Sequence, residues 1–201
     1  NLAYVTRRAP AVALRGRVVV HPEAMPELGL PIDESGLHHW WPVAPLARIE
    51  VELRQPRIRF RGHGYHDANA GDLPLDQSFD TWSWMRARVG DAARLTYDVR
   101  CASGATRAHA LEVTAQGATP LEPTWRAPLE RGFWGLDRHA RVDEHQGART
   151  VQSYEDGPFY TRSLVQTRIG GDPVLAMHET LAAHRLRRRW VRFCASYRMR
   201  E

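Results

Sequence analysis

Two features of the sequence predict an all-β fold of the sandwich or barrel kind. Apolar and polar residues alternate with a period of two in segment after segment, and short clusters of Gly, Pro, Asp and Ser separate those segments at strand-like intervals. The first candidate strand is Leu14–Val20. Pro22–Pro45 follows, rich in Pro, Gly and His, and reads as a long functional loop. Ala47–Leu53 then alternates cleanly, with Ala47, Ile49, Val51 and Leu53 on one face and Arg48, Glu50 and Glu52 on the other. Gln55–Pro56 marks a turn, after which Ile58 and Phe60 alternate with Arg57, Arg59 and Arg61. Further strands are expected at Thr81–Arg88, Arg94–Arg100, Arg107–Thr114, Arg149–Tyr154, Thr161–Ile169 and Val174–His184, divided by turns such as Val89–Gly90–Asp91 and Gly170–Gly171–Asp172–Pro173. Gly117–Glu130 holds three prolines and reads as a connector. From Leu186 the tail mixes Trp190, Phe193 and Tyr197 with arginines, which suggests a short basic amphipathic C-terminal helix.

Composition narrows the class. Of the 201 residues 43% are hydrophobic, enough for a real core, and 25% are charged, as in ordinary globular chains. No run approaches the ~20 apolar residues of a membrane-spanning helix, and no apolar leader opens the sequence. Cys101 and Cys194 stand far apart, so neither a disulfide framework nor a zinc site is expected and a reducing compartment fits. The net charge of +5 rests on arginine alone, as there is no lysine. Such a surface suits an anionic membrane or is simply solvated. Nucleic acid is not expected as a partner, because the arginines are dispersed along strands rather than clustered with aromatics.

Chemistry concentrates in two places. Tyr65 and Asp67 share a face of an extended segment, with Asn69 two further on, while His38 and Trp40 have the same relation in the preceding loop beside Trp41; Trp82 and Trp84 share a face further along. Read alone, a Tyr-x-Asp pair in a β protein is most often a hydrogen-bonded structural pair, and paired tryptophans are most often core. His38, His39, His63 and His66 lack metal-ligand spacing, so no metal is expected. Parity poses a problem: Tyr65 and Asp67 are odd, like the arginines of the same strand, and would face water with them. A bulge at Gly62 or Gly64 is the expected device that turns them inward.

The run HHWWPVAPLARIEVEL (38–53), then GYHDANAGDLPLDQSFDTWSWMRA (64–87), then YEDGPFYTRSL (154–164) and MHETL (177–181) resembles the carotenoid 1,2-hydratase (hydroxyneurosporene synthase) family. The resemblance runs from about Leu14 onward and matches the C-terminal half of that family's longer proteins, which agrees with a chain that starts at Asn1 rather than Met. It implies a calycin/lipocalin-like β-barrel, with residues 1–20 the end of a preceding barrel or linker and 21–201 a C-terminal lipocalin-like domain. It also implies hydration of the terminal C1=C2 double bond of an acyclic carotenoid, with water as cosubstrate and no redox cofactor. The family's acid falls on Asp67, its tyrosine on Tyr65 and its His-x-Trp pair on His38 and Trp40. His66 departs from the small or apolar residue usual between the tyrosine and the acid.

The chemistry suits these residue types. Hydrating a trisubstituted alkene needs a proton donor and passes through a tertiary cation. Burial beside indoles favours the neutral, proton-carrying form of a carboxyl group. Aromatic faces stabilise a cation by ~2 kcal/mol or more when desolvated. Trp40, Trp82 and Trp84 suit that role, His38 that of base, and Trp41, Tyr160 and Arg162 can line a pocket; an Arg162–carboxylate pair of purely structural kind is the plainer alternative for the last. A cyclase or isomerase on the same fold, or a non-catalytic carrier of an apolar ligand, would use much the same site. The expected setting is the cytoplasm, with peripheral contact to the inner membrane.

Overall fold

The computed structural model describes residues 2–5, 13–143 and 147–195. Tyr197, Arg198 and Arg200 of the expected tail helix lie outside them. Among the described residues fourteen strands run in chain order: β1 (Leu2–Val5), β2 (Ala13–Ala24), β3 (Leu30–Pro31), β4 (His38–Gln55), β5 (Arg57–Gly71), β6 (Phe79–Val89), β7 (Ala92–Cys101), β8 (Thr106–Thr114), β9 (Gly117–Leu121), β10 (Trp125–Leu129), β11 (Arg138–Val142), β12 (Arg149–Asp156), β13 (Tyr160–Ile169) and β14 (Asp172–Ala182). Helices are short: α1 (Leu75–Ser78), a 3-10 turn (Ala183–Arg187) and α2 (Arg189–Cys194). The all-β class and the short tail helix are as the sequence predicts.

The strands form three layers. In the first sheet β4 is central, paired with β2 and β3 along one edge and with β5 along the other, and β1 adds to β2. The second sheet has the order β12-β13-β14-β6-β7-β8-β9, all antiparallel. The hairpin β10–β11 stands apart. Tight turns make the meander possible: Gly170 and Gly171 join β13 to β14 with φ of 64° and 84°, the left-handed pair that a two-residue hairpin turn needs.

The second sheet is the middle layer, so its strands bury both faces. One face carries Trp82, Trp84, Leu95, Tyr97, Val99, Leu111, Val113 and Leu181 and packs on Trp40, Leu46 and Tyr65 of β4 and β5. The other carries Met85, Ala87, Val165, Val174 and Ala176 and packs on Leu129 and Ala140 of the hairpin. A register shift between Phe79 and Thr81 in β6 lets Phe79 join Trp82 and Trp84 on the first face despite its odd number.

Three sequence expectations need correction. Pro22–Pro45 is loop only in part: β2 reaches Ala24, β3 takes Leu30–Pro31 and β4 starts at His38, which leaves loop at 25–29 and 32–37. Its prolines mislead because Pro42 and Pro45 sit in two bulges, between Trp41 and Ala44 and between Ala44 and Ala47, where the ladder demands no N–H. Gly117–Glu130 holds β9 and β10; Pro120 is tolerated because β9 is an edge strand. The bulge expected at Gly62 or Gly64 is absent from β5, which keeps an unbroken pairing frame from Arg57 to Gly64 against β4, and the irregularities lie in β4 instead.

The hairpin side of the middle sheet holds a buried polar cluster. Ser83 Oγ lies 3.0 Å from His178 Nε2 and donates to the His139 carbonyl (3.0 Å), which also lies 2.8 Å from His178 Nε2. Burial pushes the His178 imidazole down to about 3. Beside it, burial would raise the Asp98 carboxyl, but hydrogen bonds from His139 and Arg141 outweigh that and hold it at about 2.

A histidine that folds neutral binds its proton later than the unfolded chain does as pH falls. Its contribution is therefore complete above the unfolded value near 6.5 and is lost as pH drops from there toward about 3. Stability followed by urea unfolding is expected to decline steadily from pH 7 to pH 4, and His178→Gln is expected to flatten that slope. An unchanged slope would remove His178 from the account.

Candidate active site

Asp67 lies on β5, half-buried, where the odd-numbered face of the strand passes from solvent onto the middle sheet. Its Oδ2 accepts two hydrogen bonds, from Trp40 Nε1 of β4 at 3.0 Å and from the Tyr65 hydroxyl of its own strand at 2.9 Å. No described residue donates to Oδ1. Hydrogen bonds to a charged acceptor are worth ~1.5–3 kcal/mol each, so the carboxylate is firmly oriented. Burial and then the Asp67 charge push the Tyr65 phenol far above its ordinary value, which keeps it a hydroxyl donor.

Aromatic rings enclose the pair. Trp40 is fully buried and packs on Tyr97 with ring centres 5.1 Å apart; Tyr65 packs on Trp84 at 4.8 Å; Trp82 meets both Phe79 at 5.8 Å and Tyr97 at 6.1 Å. The Tyr97 hydroxyl donates to Asn69 Oδ1 at 3.3 Å, and burial, then Asp67, push it up as well. The arrangement thus joins Trp40, Tyr65, Asp67, Trp82 and Trp84 as the sequence expects.

It places four expected residues elsewhere: His38, Trp41, Tyr160 and Arg162. His38 is buried, but its ring nitrogens face Asp33 Oδ2 (3.3 Å) and the Leu73 carbonyl (2.9 Å), and its ring edge meets Phe79. Both ring nitrogens are therefore taken up by neighbouring protein groups. Trp41 points to the opposite face of β4 from Trp40, because neighbours alternate along a strand, and stacks on His39 at 5.5 Å. Arg162 pairs with Glu179 at 2.7–2.8 Å and lies over the Tyr160 ring at 5.9 Å, so this couple borders the aromatic wall two strands from Trp84 rather than reaching Asp67. Among the described residues no group of three or more His, Cys, Asp or Glu side chains converges as a metal site.

Sequence reading passed over Arg86 and Tyr97. Tyr97 looks like any apolar member of an alternating strand. Arg86 is one arginine among many, yet its guanidinium donates to the carbonyls of Pro45 (3.1 and 3.2 Å) and Gly64 (3.2 Å) and lies 5.8 Å over the Tyr65 ring. It fastens the second β4 bulge to β5 just where Tyr65 begins the site. Arg86→Gln would strand those carbonyls and is expected to cost about 1–3 kcal/mol in urea unfolding.

Comparison with known proteins bears on the same segments. Residues 4–200 match the family profile described as Carotenoid hydratase CrtC. The acyclic carotenoid 1,2-hydratase of Thiocapsa roseopersicina is 37% identical over 189 residues, covering 92% of this chain and 46% of that protein. The protein of the same name from Rubrivivax gelatinosus is 38% identical over 188 residues, again covering 92% and 46%. The chain therefore spans about half the length of these two relatives. In fold it is similar to the crystal structure of an AttH-type protein from Nitrosomonas europaea, with a TM-score of 0.58 and 12% identity over 90% of this chain and 68% of that one. A profile that matches nearly the whole sequence, together with these identities, makes the chain a member of the carotenoid hydratase CrtC family.

Proposed function

We propose that this chain carries the acid site of an acyclic carotenoid 1,2-hydratase, a hydro-lyase that adds water to the terminal C1=C2 bond. The observation that carries the reading is the Asp67 carboxyl, anchored through Oδ2 by Trp40 and Tyr65, with no described residue donating to Oδ1. A neutral Asp67 can hold its proton on Oδ1 while Oδ2 keeps both hydrogen bonds. The proton passes from Oδ1 to C2 of the alkene and the positive charge develops at C1. The faces of Trp40, Trp82, Trp84 and Tyr65 are suited to stabilise it. Water adds to C1 and gives up a proton to the Asp67 carboxylate, which restores the acid. Alkene plus water becomes a tertiary alcohol, so the step is redox-neutral and asks for no redox cofactor. In this reading Asp67 serves as acid and then base, and His38 is a positioning residue that holds the start of β4 through Asp33 and Leu73. Tyr160 and Arg162 border the path of the polyene.

The fold that goes with this reading is a calycin/lipocalin-like barrel, a reading supported by the antiparallel meander β6-β7-β8-β9 and its continuation through β14, β13 and β12. The described chain is then the C-terminal part of a longer protein. Asp67→Asn is expected to lower hydration of lycopene or neurosporene by about 10²-fold or more, with the circular dichroism unchanged. The readout is the product heavier by one water. Retained turnover would overturn the assignment.

The substrate dissolves in lipid, and one end of the chain suits a cytoplasmic protein held at the inner-membrane surface. Phe133 is 84% exposed and its ring centre lies 5.4 Å from that of Trp134, which in turn lies 5.8 Å from that of Trp190. Exposed Arg187, Arg188 and Arg189 flank them. No helix among the described residues is long and apolar enough to cross a membrane. Flotation with anionic vesicles is expected to carry the protein upward, and Arg188→Glu with Arg189→Glu is expected to reduce this to the level seen with neutral vesicles. Equal flotation of the double variant would remove the membrane reading.

A further inference from the structure

Beyond Gly64 toward the Gln55–Pro56 turn, β4 and β5 project with β2 as a wing. One face of this wing bears Val18 and Val20 of β2, Ile49, Val51 and Leu53 of β4, and Ile58 and Phe60 of β5, aligned by the registers Val18–Val51–Phe60, Val20–Ile49–Gly62 and Gly16–Leu53–Ile58. The other face bears Arg17, Arg48, Glu50, Glu52, Arg57, Arg59 and Arg61. There, ion pairs link Arg61 to Glu50 (3.4 Å) and Arg48 to Glu23 (3.1 Å). The charged face is a solvated face. The apolar one is uncovered: Val18, Val20, Ile58 and Phe60 are each 40–49% exposed. These exposed side chains of β2 and β5 flank the half-buried Ile49 and Leu53 and the buried Val51 of β4, an apolar patch of the kind that marks an interaction surface.

The parity of β5 makes the point sharper. From Ile58 to Gly64 the even-numbered face is apolar, whereas beyond it the odd-numbered Tyr65 packs on the core and Asp67 is half-buried beside it. With no bulge in β5, the strand switches the face it buries at Gly64. A strand that serves one core has no reason to do so. β4 and β5 thus offer opposite faces to two cores, and among the described residues they fill the one around Trp40 and Tyr65.

We propose that the apolar face of the wing is the seat of the other half of the full-length polypeptide. The carotenoid hydratases of Thiocapsa roseopersicina and Rubrivivax gelatinosus are matched over only 46% of their length, so each holds a further stretch of comparable size. β1 pairs with β2 at residues 13–16, along the wing itself. A covalently tethered partner docks at high effective concentration, so a face of this modest size suffices. The inference is independent of the catalytic reading, since it concerns only what covers Val20 and Phe60.

Thiol accessibility in the full-length protein tests it, in a background where accessible native cysteines, Cys194 included, are replaced by Ser. Val20→Cys and Phe60→Cys probe the apolar face, and Arg17→Cys and Arg59→Cys the charged face of the same strands. With a water-soluble maleimide, the apolar-face thiols are expected to react at least about tenfold more slowly than the charged-face thiols in the native protein, and equally fast in urea. Equal native rates would overturn the proposal. Protection that vanishes on dilution would give the face to a second copy of the chain, and protection that appears only with vesicles would give it to lipid; either overturns it too.

Discussion

The pairing of β4 with β5 carries a constraint from which most of the molecule follows. Two long strands must stay hydrogen-bonded over their whole length while the face they bury changes side near Gly64. β4 absorbs the mismatch with two bulges, each holding a proline that has no N–H to offer the ladder. Arg86 reaches across from the middle sheet to hold the second bulge and β5 together. Once that junction is fixed, Trp40 and Tyr65 stand side by side, and the Asp67 carboxylate between them has a single orientation.

The site is accordingly a product of layer packing rather than of a loop. Asp67 Oδ2 is held from two strands of the first sheet, and the rings that surround it come from the middle sheet. Rigid strands at both edges of a reacting centre favour preorganisation, since neither donor must be recruited when charge moves. The polar cluster of Ser83, His178 and Asp98 faces the opposite way, toward the β10–β11 hairpin, and is separated from Asp67 by the thickness of the sheet. Its histidine is a buried neutral group whose cost appears in acid.

Much of this was legible in the residues. Period-two alternation located β6, β7, β8, β13 and β14 because most of them bury mainly one face, β7 and β8 toward Trp40 and most of β13 and β14 toward the hairpin. The pair Trp82 and Trp84 shares a face for the same reason. Proline defeated the reading of β4, β9 and β10, since a bulge and an edge strand both accept a residue that a central ladder refuses. Gly62 and Gly64 misled in the other direction: glycine permits a bulge without requiring one, and the irregular strand was the partner.

The sequence by itself determined the fold class, the family, and the Tyr65–Asp67 pair on one face of a strand, because these rest on local periodicity and on short motifs. Only the tertiary structure decided which way that face points. It also decided that Trp40 rather than Trp41 meets the carboxylate, that the His38 ring is spent on Asp33 and Leu73, and that Arg86 fastens the junction. Each of these depends on which strand lies opposite and in which register, and a register is set by hydrogen bonds between segments far apart in the chain, which no local pattern records.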